Sequence, residues 1–287
     1  KCCLEAEALK IYRSFLFALF FLSLNVDVAA NDLASNGLIV PSNLVQGCLV
    51  VATVAPGYSV NYKGKPLKIN DNGTFILGLG RDAGEVMRLL VVDDKGHQKD
   101  YTFPVVKRKY NIQSIEGVPQ RTVTPNPEDI ARIRQDSLLV RNARQGVSDR
   151  QDFLAGFRKP LEGPVTGVYG SQRVYNGTPK NPHYGVDYAA PTGTIVRAPA
   201  AGVVQLAHSD LFYSGGTLIM DHGFGLNSSF LHLSAVLVSV GQEVKQGDPI
   251  GKVGSTGRAT GPHLDWRMNW LNVRIDPQLV MESLPAD

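Results

Sequence analysis

Between Gly37 and Lys107 the chain alternates short apolar runs with turn-forming clusters. "GCLVVATV" (residues 47–54) and "RLLVVDD" (88–94) are rich in aliphatic and β-branched residues, and "APG", "KGK", "NDNG" and "DDKG" punctuate them. Turn signals every roughly 8–12 residues predict short strands folded as a small β-sandwich. The periodicity then changes. In "TPNPEDIARIRQDSLLVRNARQG", Asn126 can cap a helix, Pro127 suits its first position, and Glu128 and Asp129 favour its positive end. Ile130, Ile133, Leu138 and Val140 give that helix an imperfect apolar stripe, and Gly146 is its expected stop. From Pro160 onward glycines recur between β-rich runs: "GTIVRAPAAGVVQLA", "GGTLIMDHGFG", "SSFLHL" and "VSVGQEVKQGDPIGKVG". The pattern predicts a mainly β protein. A small β-sandwich-like domain is expected over residues 31–107, a linker with one connecting helix over 108–159, and an antiparallel β domain over 160–281.

Composition changes this picture little. The chain has 287 residues, 43% hydrophobic and 19% charged, which fits a globular protein rather than a disordered one. Its 29 glycines and 17 prolines favour turns. A net charge of +3, with no basic run, gives no reason to expect a nucleic-acid partner. At the N-terminus Lys10 and Arg13 precede an apolar run from Phe15 to Leu24, and Val28 and Ala30 suit a small-residue cleavage site. Residues 1–30 are therefore read as a signal peptide cut after Ala30. The run is about half the ~20 residues a spanning helix needs, so no stable membrane insertion is expected after cleavage. Cys2 and Cys3 would be lost with that segment, leaving Cys48 alone as a small buried apolar residue with no disulfide partner.

The candidate chemistry lies in the last third. Five of the six histidines follow Pro182. In "NPHYGVDYAAPTGT", His183 and Asp187 are four apart, and both residue types are good zinc ligands. In "HLD", alternation along a strand points His263 and Asp265 the same way, while Leu264, Trp266 and Met268 share the opposite face. "SSFLHLS" supplies His232 among apolar neighbours. "MDHGFG" supplies His222, which reads as structural; His208 has no partner in the sequence, and His97 in "DDKGHQKD" reads as solvent-facing. Alone, each of these patterns fits an ordinary hydrogen-bonded histidine as well as a site.

Taken together, the run from about Tyr169 to Pro277 resembles the lysostaphin-type (LytM) zinc metalloendopeptidases. The segments "HYGVDYAAPTGTIVRAPAAGVV", "SSFLHLS" and "GQEVKQGDPIGKVGSTGRATGPHL" carry the resemblance; residues 31–158 are not covered. The resemblance implies a LytM-like antiparallel fold for residues 160–281 and one Zn²⁺ per chain. It implies that His183 and Asp187 are metal ligands, and that His232 and His263 are catalytic, facing the attacking water and the developing oxyanion. The third metal ligand falls on Asp265, where the family usually has histidine. An aspartate oxygen lies about as far from Cβ as imidazole Nδ1 and nearer than Nε2, so Asp265 replaces an Nδ1 ligand with little movement, whereas in place of an Nε2 ligand it falls short and loosens the site. Counted on the ligands alone, His–Asp–Asp around Zn²⁺ is neutral where His–Asp–His is +1, which predicts a weaker Lewis acid. Tyr169 to Arg173 look like a strand entering the groove, and Arg173 is a candidate for contact with substrate.

The implied function is zinc-dependent hydrolysis of peptidoglycan peptide cross-links. The implied partners are peptidoglycan stem peptides, and the implied setting is export to a Gram-negative periplasm. The rival from the same resemblance is a catalytically inert LytM-like module that binds peptidoglycan or activates another cell-wall hydrolase, its candidate partner. A carrier-domain reading of "GQEVKQGDPIGKVG" would need Lys245 or Lys252 to carry a lipoyl or biotinyl group, and it leaves the histidines without a role.

Overall fold

The computed structural model describes residues 33–35 and 37–286; the expected signal peptide, with Cys2 and Cys3, lies outside the described residues. Among the described residues no helix is long and apolar enough to cross a membrane.

The protein is mainly β. Two four-stranded antiparallel sheets form its N-terminal part. One holds Leu33–Ser35, Leu38–Val40, Leu49–Val54 and Thr74–Gly78, and the other Lys65–Pro66, Ser59–Tyr62, Val86–Val92 and Gln98–Pro104. Along Val86–Val92 the side chains alternate strictly, with Met87, Leu89 and Val91 buried. They meet Val50, Phe75 and Leu77 from the other sheet in a shared apolar core, as expected of strands with one wet and one dry face. Cys48 is a free, buried member of this core.

The helix Pro127–Ala143 starts as the sequence predicts. The Asn126 side chain accepts a hydrogen bond from the Asp129 amide at 2.8 Å. Its end and its face differ from expectation. It stops at Ala143, three residues before Gly146, and Ile130 and Leu138 are 41% and 53% exposed. Polar contacts dock it instead. Arg132 Nη2 donates to the Asp210 carboxylate at 2.7 Å, and Asp136 accepts from the Phe212 amide at 2.7 Å. Two further helices, Gln120–Val123 and Pro277–Ser283, join the connecting one. The segment before it also contains a strand, Ile112–Ile115, which pairs in parallel with Gln172–Tyr175.

The C-terminal part is built on an eight-stranded antiparallel sheet. Its order is Val165–Gly167, Val186–Ala189, His263–Trp270, Leu226–Leu233, Gly215–Gly223, Gly202–Leu211 and Glu243–Val244, with Val273–Ile275 paired to His263–Trp270. Leu264, Trp266 and Met268 are fully buried on one face of the central strand. That packing fixes the strand's orientation, because a slip of one residue would turn the opposite face inward.

Candidate metal centre

The register of three neighbouring strands builds the site. Asp265 lies directly opposite Asp187 on one side and Leu231 on the other. Directly opposed side chains on a sheet approach within about 4.5–5.5 Å at Cβ, and like charges so placed repel. Both carboxylates are nevertheless buried, at 6% and 2% exposure. His183, on the loop before Val186–Ala189, completes the group: His183, Asp187 and Asp265 each offer a donor atom within 4.8 Å of the others. His183 Nε2 lies 3.0 Å from Asp187 Oδ1 and 3.4 Å from Asp265 Oδ2.

These donors fit a divalent cation. The Nδ1 of His183 faces the Val168 carbonyl at 3.3 Å, and a carbonyl only accepts, so in the neutral ring Nδ1 carries the hydrogen and Nε2 a lone pair. That lone pair and Asp187 Oδ1 are buried and face each other without a hydrogen bond. Two buried acceptors in such close approach need a positive charge between them, supplied by a proton on Nε2 when the ring is charged and by a metal ion when it is neutral. Ligands ~2.1 Å from a tetrahedral zinc ion sit about 3.4 Å from one another, close to the separations found here. Burial works against a charged His183, but the Asp265 and Asp187 carboxylates outweigh it and hold its pKa above the usual histidine value.

Each carboxylate also has its own arginine. Arg173 Nη2 donates to Asp187 Oδ2 at 2.8 Å, leaving Oδ1 for the centre. Arg267 grips Asp265: Nε donates to Oδ1 at 2.9 Å and Oδ2 at 3.0 Å, and Nη2 to Oδ2 at 2.5 Å. Burial alone would raise the Asp265 pKa, yet Arg267 first and His183 next hold it well below the carboxylate range. Asp187 is held low against burial by His183, with Arg173 helping. This revises the charge count made on ligands alone. Asp265 together with Arg267 is a neutral pair, as a neutral imidazole would be, so the premise for a weaker Lewis acid falls away. It also gives Arg173 a different place from the substrate contact expected of it. Arg173 is buried against Asp187, and the approach is so close that a Cβ on Gly167 would lie 2.1 Å from Asp187 Oδ2.

His232 and His263 stand beside this group with ring centroids 4.8 Å apart. His232 Nε2 is 4.0 Å from Asp265 Oδ2. Its Nδ1 donates to the Thr256 carbonyl and that of His263 to the Gly261 carbonyl, both at 2.8 Å. Both rings therefore present an Nε2 lone pair. Burial is the main cause lowering the His232 pKa, to about 4, so it is neutral at neutral pH. His232 also has φ 64°, a left-handed backbone rare for a residue with a Cβ; such strain persists only where the surroundings impose it.

The remaining histidines lie outside the group. His222 is fully buried, with Nδ1 donating to the Ala201 carbonyl at 2.6 Å and Nε2 accepting from Ser228 Oγ at 2.9 Å. His208 accepts from the Asp210 amide, and His97 is exposed beside Asp93. The residues not anticipated are Arg267 and Thr256. Strand alternation from Asp265 already places Arg267 on the metal face; no pattern in the sequence marks Thr256. The whole group opens into a cavity of about 510 Å³.

The sequence profile of peptidase family M23 matches residues 181–277. A crystal structure of a putative peptidase M23 from Pseudomonas aeruginosa superposes with TM-score 0.64 at 30% identity, over 83% of this chain and 94% of that one. Among curated proteins, the peptidoglycan DD-endopeptidase ShyA of Vibrio cholerae is 42% identical over 87 residues, 30% of this chain and 20% of that protein. The DD-carboxypeptidase/endopeptidase Mpg of Neisseria meningitidis serogroup B is 41% identical over 104 residues, 36% of this chain and 23% of that one. The chain thus spans about a fifth of the length of these curated relatives.

Proposed function

This chain belongs to peptidase family M23, and from that premise we propose that it is a zinc-dependent endopeptidase acting on peptidoglycan peptide cross-links. His183, Asp187 and Asp265 hold one Zn²⁺ in this reading, and His232 and His263 move the proton. The observation that carries it is the convergence of three buried side chains, His183, Asp187 and Asp265, whose donor atoms lie within 4.8 Å of one another in one pocket.

A zinc ion bound there supplies Lewis acidity, polarising the scissile carbonyl and making water acidic enough to attack near neutral pH. The protein's own groups do the rest. Arg173 and Arg267 hold the two carboxylates in place and offset their charge. The Nε2 lone pair of His232 or His263 accepts the proton of the attacking water as its oxygen bonds to the carbonyl carbon. The imidazolium so formed is the only one of the two rings with an Nε2–H to give. It hydrogen-bonds the oxyanion and then delivers the proton to the leaving amine as the C–N bond breaks. The Thr256 and Gly261 carbonyls keep both rings in the accepting tautomer before this step.

The relatives named as peptidoglycan DD-endopeptidases support the choice of substrate. Export, with residues 1–30 as signal peptide and a periplasmic setting, belongs to the same reading. So does the division into residues 31–107, 108–159 and 160–281, the last being the catalytic unit. A second reading rests on one observation. Arg267 engages both oxygens of Asp265, and if it holds them away from the metal the module is inert and serves as a peptidoglycan-binding or hydrolase-activating unit. Metal analysis and digestion of cross-linked muropeptides by the purified chain separate the two. About one zinc per chain with release of monomers is expected; protein free of zinc that leaves dimers intact would establish the inert module.

A further inference from the structure

We propose that Arg258 is the substrate-reading residue of the groove, binding a free carboxylate on the carbon that bears the leaving amine; this deepens, and rests on, the endopeptidase reading above. The cavity around the metal group is lined by three guanidiniums, Arg173, Arg258 and Arg267, and two carboxylates, Asp187 and Asp265. Two of the arginines are committed to those carboxylates. Arg258 has no acidic partner among the described residues. Among the described residues its side chain makes one hydrogen bond, a long one, from Nη1 to the Thr122 carbonyl at 3.4 Å. A guanidinium has five N–H donors in a planar fork, so most of its hydrogen-bonding capacity remains open to the cavity.

The group is nonetheless held in place. Its guanidinium carbon lies 4.4 Å from the ring centre of Tyr213 and 4.9 Å from that of Tyr175. Cation–π contact with two rings leaves the edge of the fork, the part that matches a carboxylate bidentately, as the free part. The surroundings make an anion welcome: desolvation first, then the neighbouring Arg267 and Arg173, pull the Arg258 pKa down. A substrate carboxylate would relieve that penalty.

Position agrees with the role. The Arg258 amide donates to the Tyr213 carbonyl at 2.8 Å, and the next residue, Ser214, accepts from the His232 amide at 2.8 Å. Thr256, two residues before Arg258, accepts from His232 Nδ1. The loop that carries Arg258 is therefore the loop that sets the catalytic histidine. A carboxypeptidase, the activity named for one of the relatives, by definition cuts an amide whose leaving amine sits beside a free carboxylate. An endopeptidase reading the same carboxylate at a cross-link would use the same contact.

The test uses two cross-linked muropeptide dimers, one with the carboxylate next to the scissile amide free and one with it amidated. The zinc-loaded wild-type chain should favour the free dimer in kcat/KM by about 10- to 100-fold, the range for a hydrogen bond to a charged group. Arg258→Gln should bring that ratio to within about twofold, and Arg258→Lys should leave it in between, because an ammonium keeps the charge but not the fork. A wild-type ratio near one, or a ratio that survives in Arg258→Gln, would overturn the assignment while leaving the endopeptidase reading intact. Calorimetric binding of the two dimers gives the same ratio without turnover. If neither dimer is cut, the hydrolase reading fails and the binding ratio still decides the role of Arg258.

Discussion

Asp187→Ala is expected to abolish zinc binding and, with it, hydrolysis of cross-linked muropeptides. Asp187 supplies one donor of the group and accepts from Arg173, which is itself buried. Its removal costs twice: the ion loses a ligand, and a buried guanidinium loses its partner, a situation that typically costs about 3–5 kcal/mol. Asp187→Asn separates these effects, since an amide oxygen can still accept from Arg173 Nη2 while the ligand charge is gone. Replacing a residue that merely supports a ligand lowers metal affinity by about 10–100-fold, so loss of the ligand charge itself should exceed ~100-fold in a chelator competition. A folded Asp187→Asn chain that binds zinc as tightly as wild type would remove Asp187 from the ligand set.

The second large effect is expected at His232. Asparagine is the substitution of choice because it tolerates left-handed backbone, the conformation found at φ 64°. His232→Asn should retain about one zinc per chain and a wild-type melting temperature, while kcat falls by roughly 10²–10⁴, the usual contribution of a positioned acid–base group. Loss of zinc in this variant would move His232 from proton transfer to metal binding. Unchanged kcat would leave His263 as the sole proton acceptor.

The parts of this protein that are legible in its sequence are those governed by local rules. Asn126 and Pro127 mark the helix start because capping depends on neighbouring atoms alone, and the strand-period alternation from Leu264 to Met268 is enough to place His263 and Asp265 on one face. The exposed side of the helix, with Ile130 and Leu138, was not legible, because docking through Asp210 and Phe212 depends on partners 78 and 76 positions away. The strand Ile112–Ile115 escapes for the same reason: four residues, IQSI, are too few to show a period, and its parallel partner, Gln172–Tyr175, comes after the whole helix.

The candidate site divides along the same line. Residue types and spacing made His183, Asp187, His232, His263 and Asp265 candidates, and the resemblance to the LytM peptidases supplied their expected roles. The arginines that decide the electrostatics did not stand out. Arg267 obeys the same alternation as Asp265, but that its fork turns back onto its own strand is a property of its rotamer. Arg173 reaches Asp187 only because glycine at 167 permits the approach. An aspartate in a place where histidine is usual looked like a loss of positive charge; in the folded protein it comes with an arginine that restores it.

X-ray absorption at the zinc edge decides whether Asp265 is the third ligand, because it counts the imidazoles bound to the metal. One imidazole, from His183, is expected, with oxygen donors completing the wild-type shell, and two imidazoles in Asp265→His. A wild-type spectrum already showing two imidazoles would mean that His232 or His263 holds the metal in place of Asp265, and would contradict that assignment.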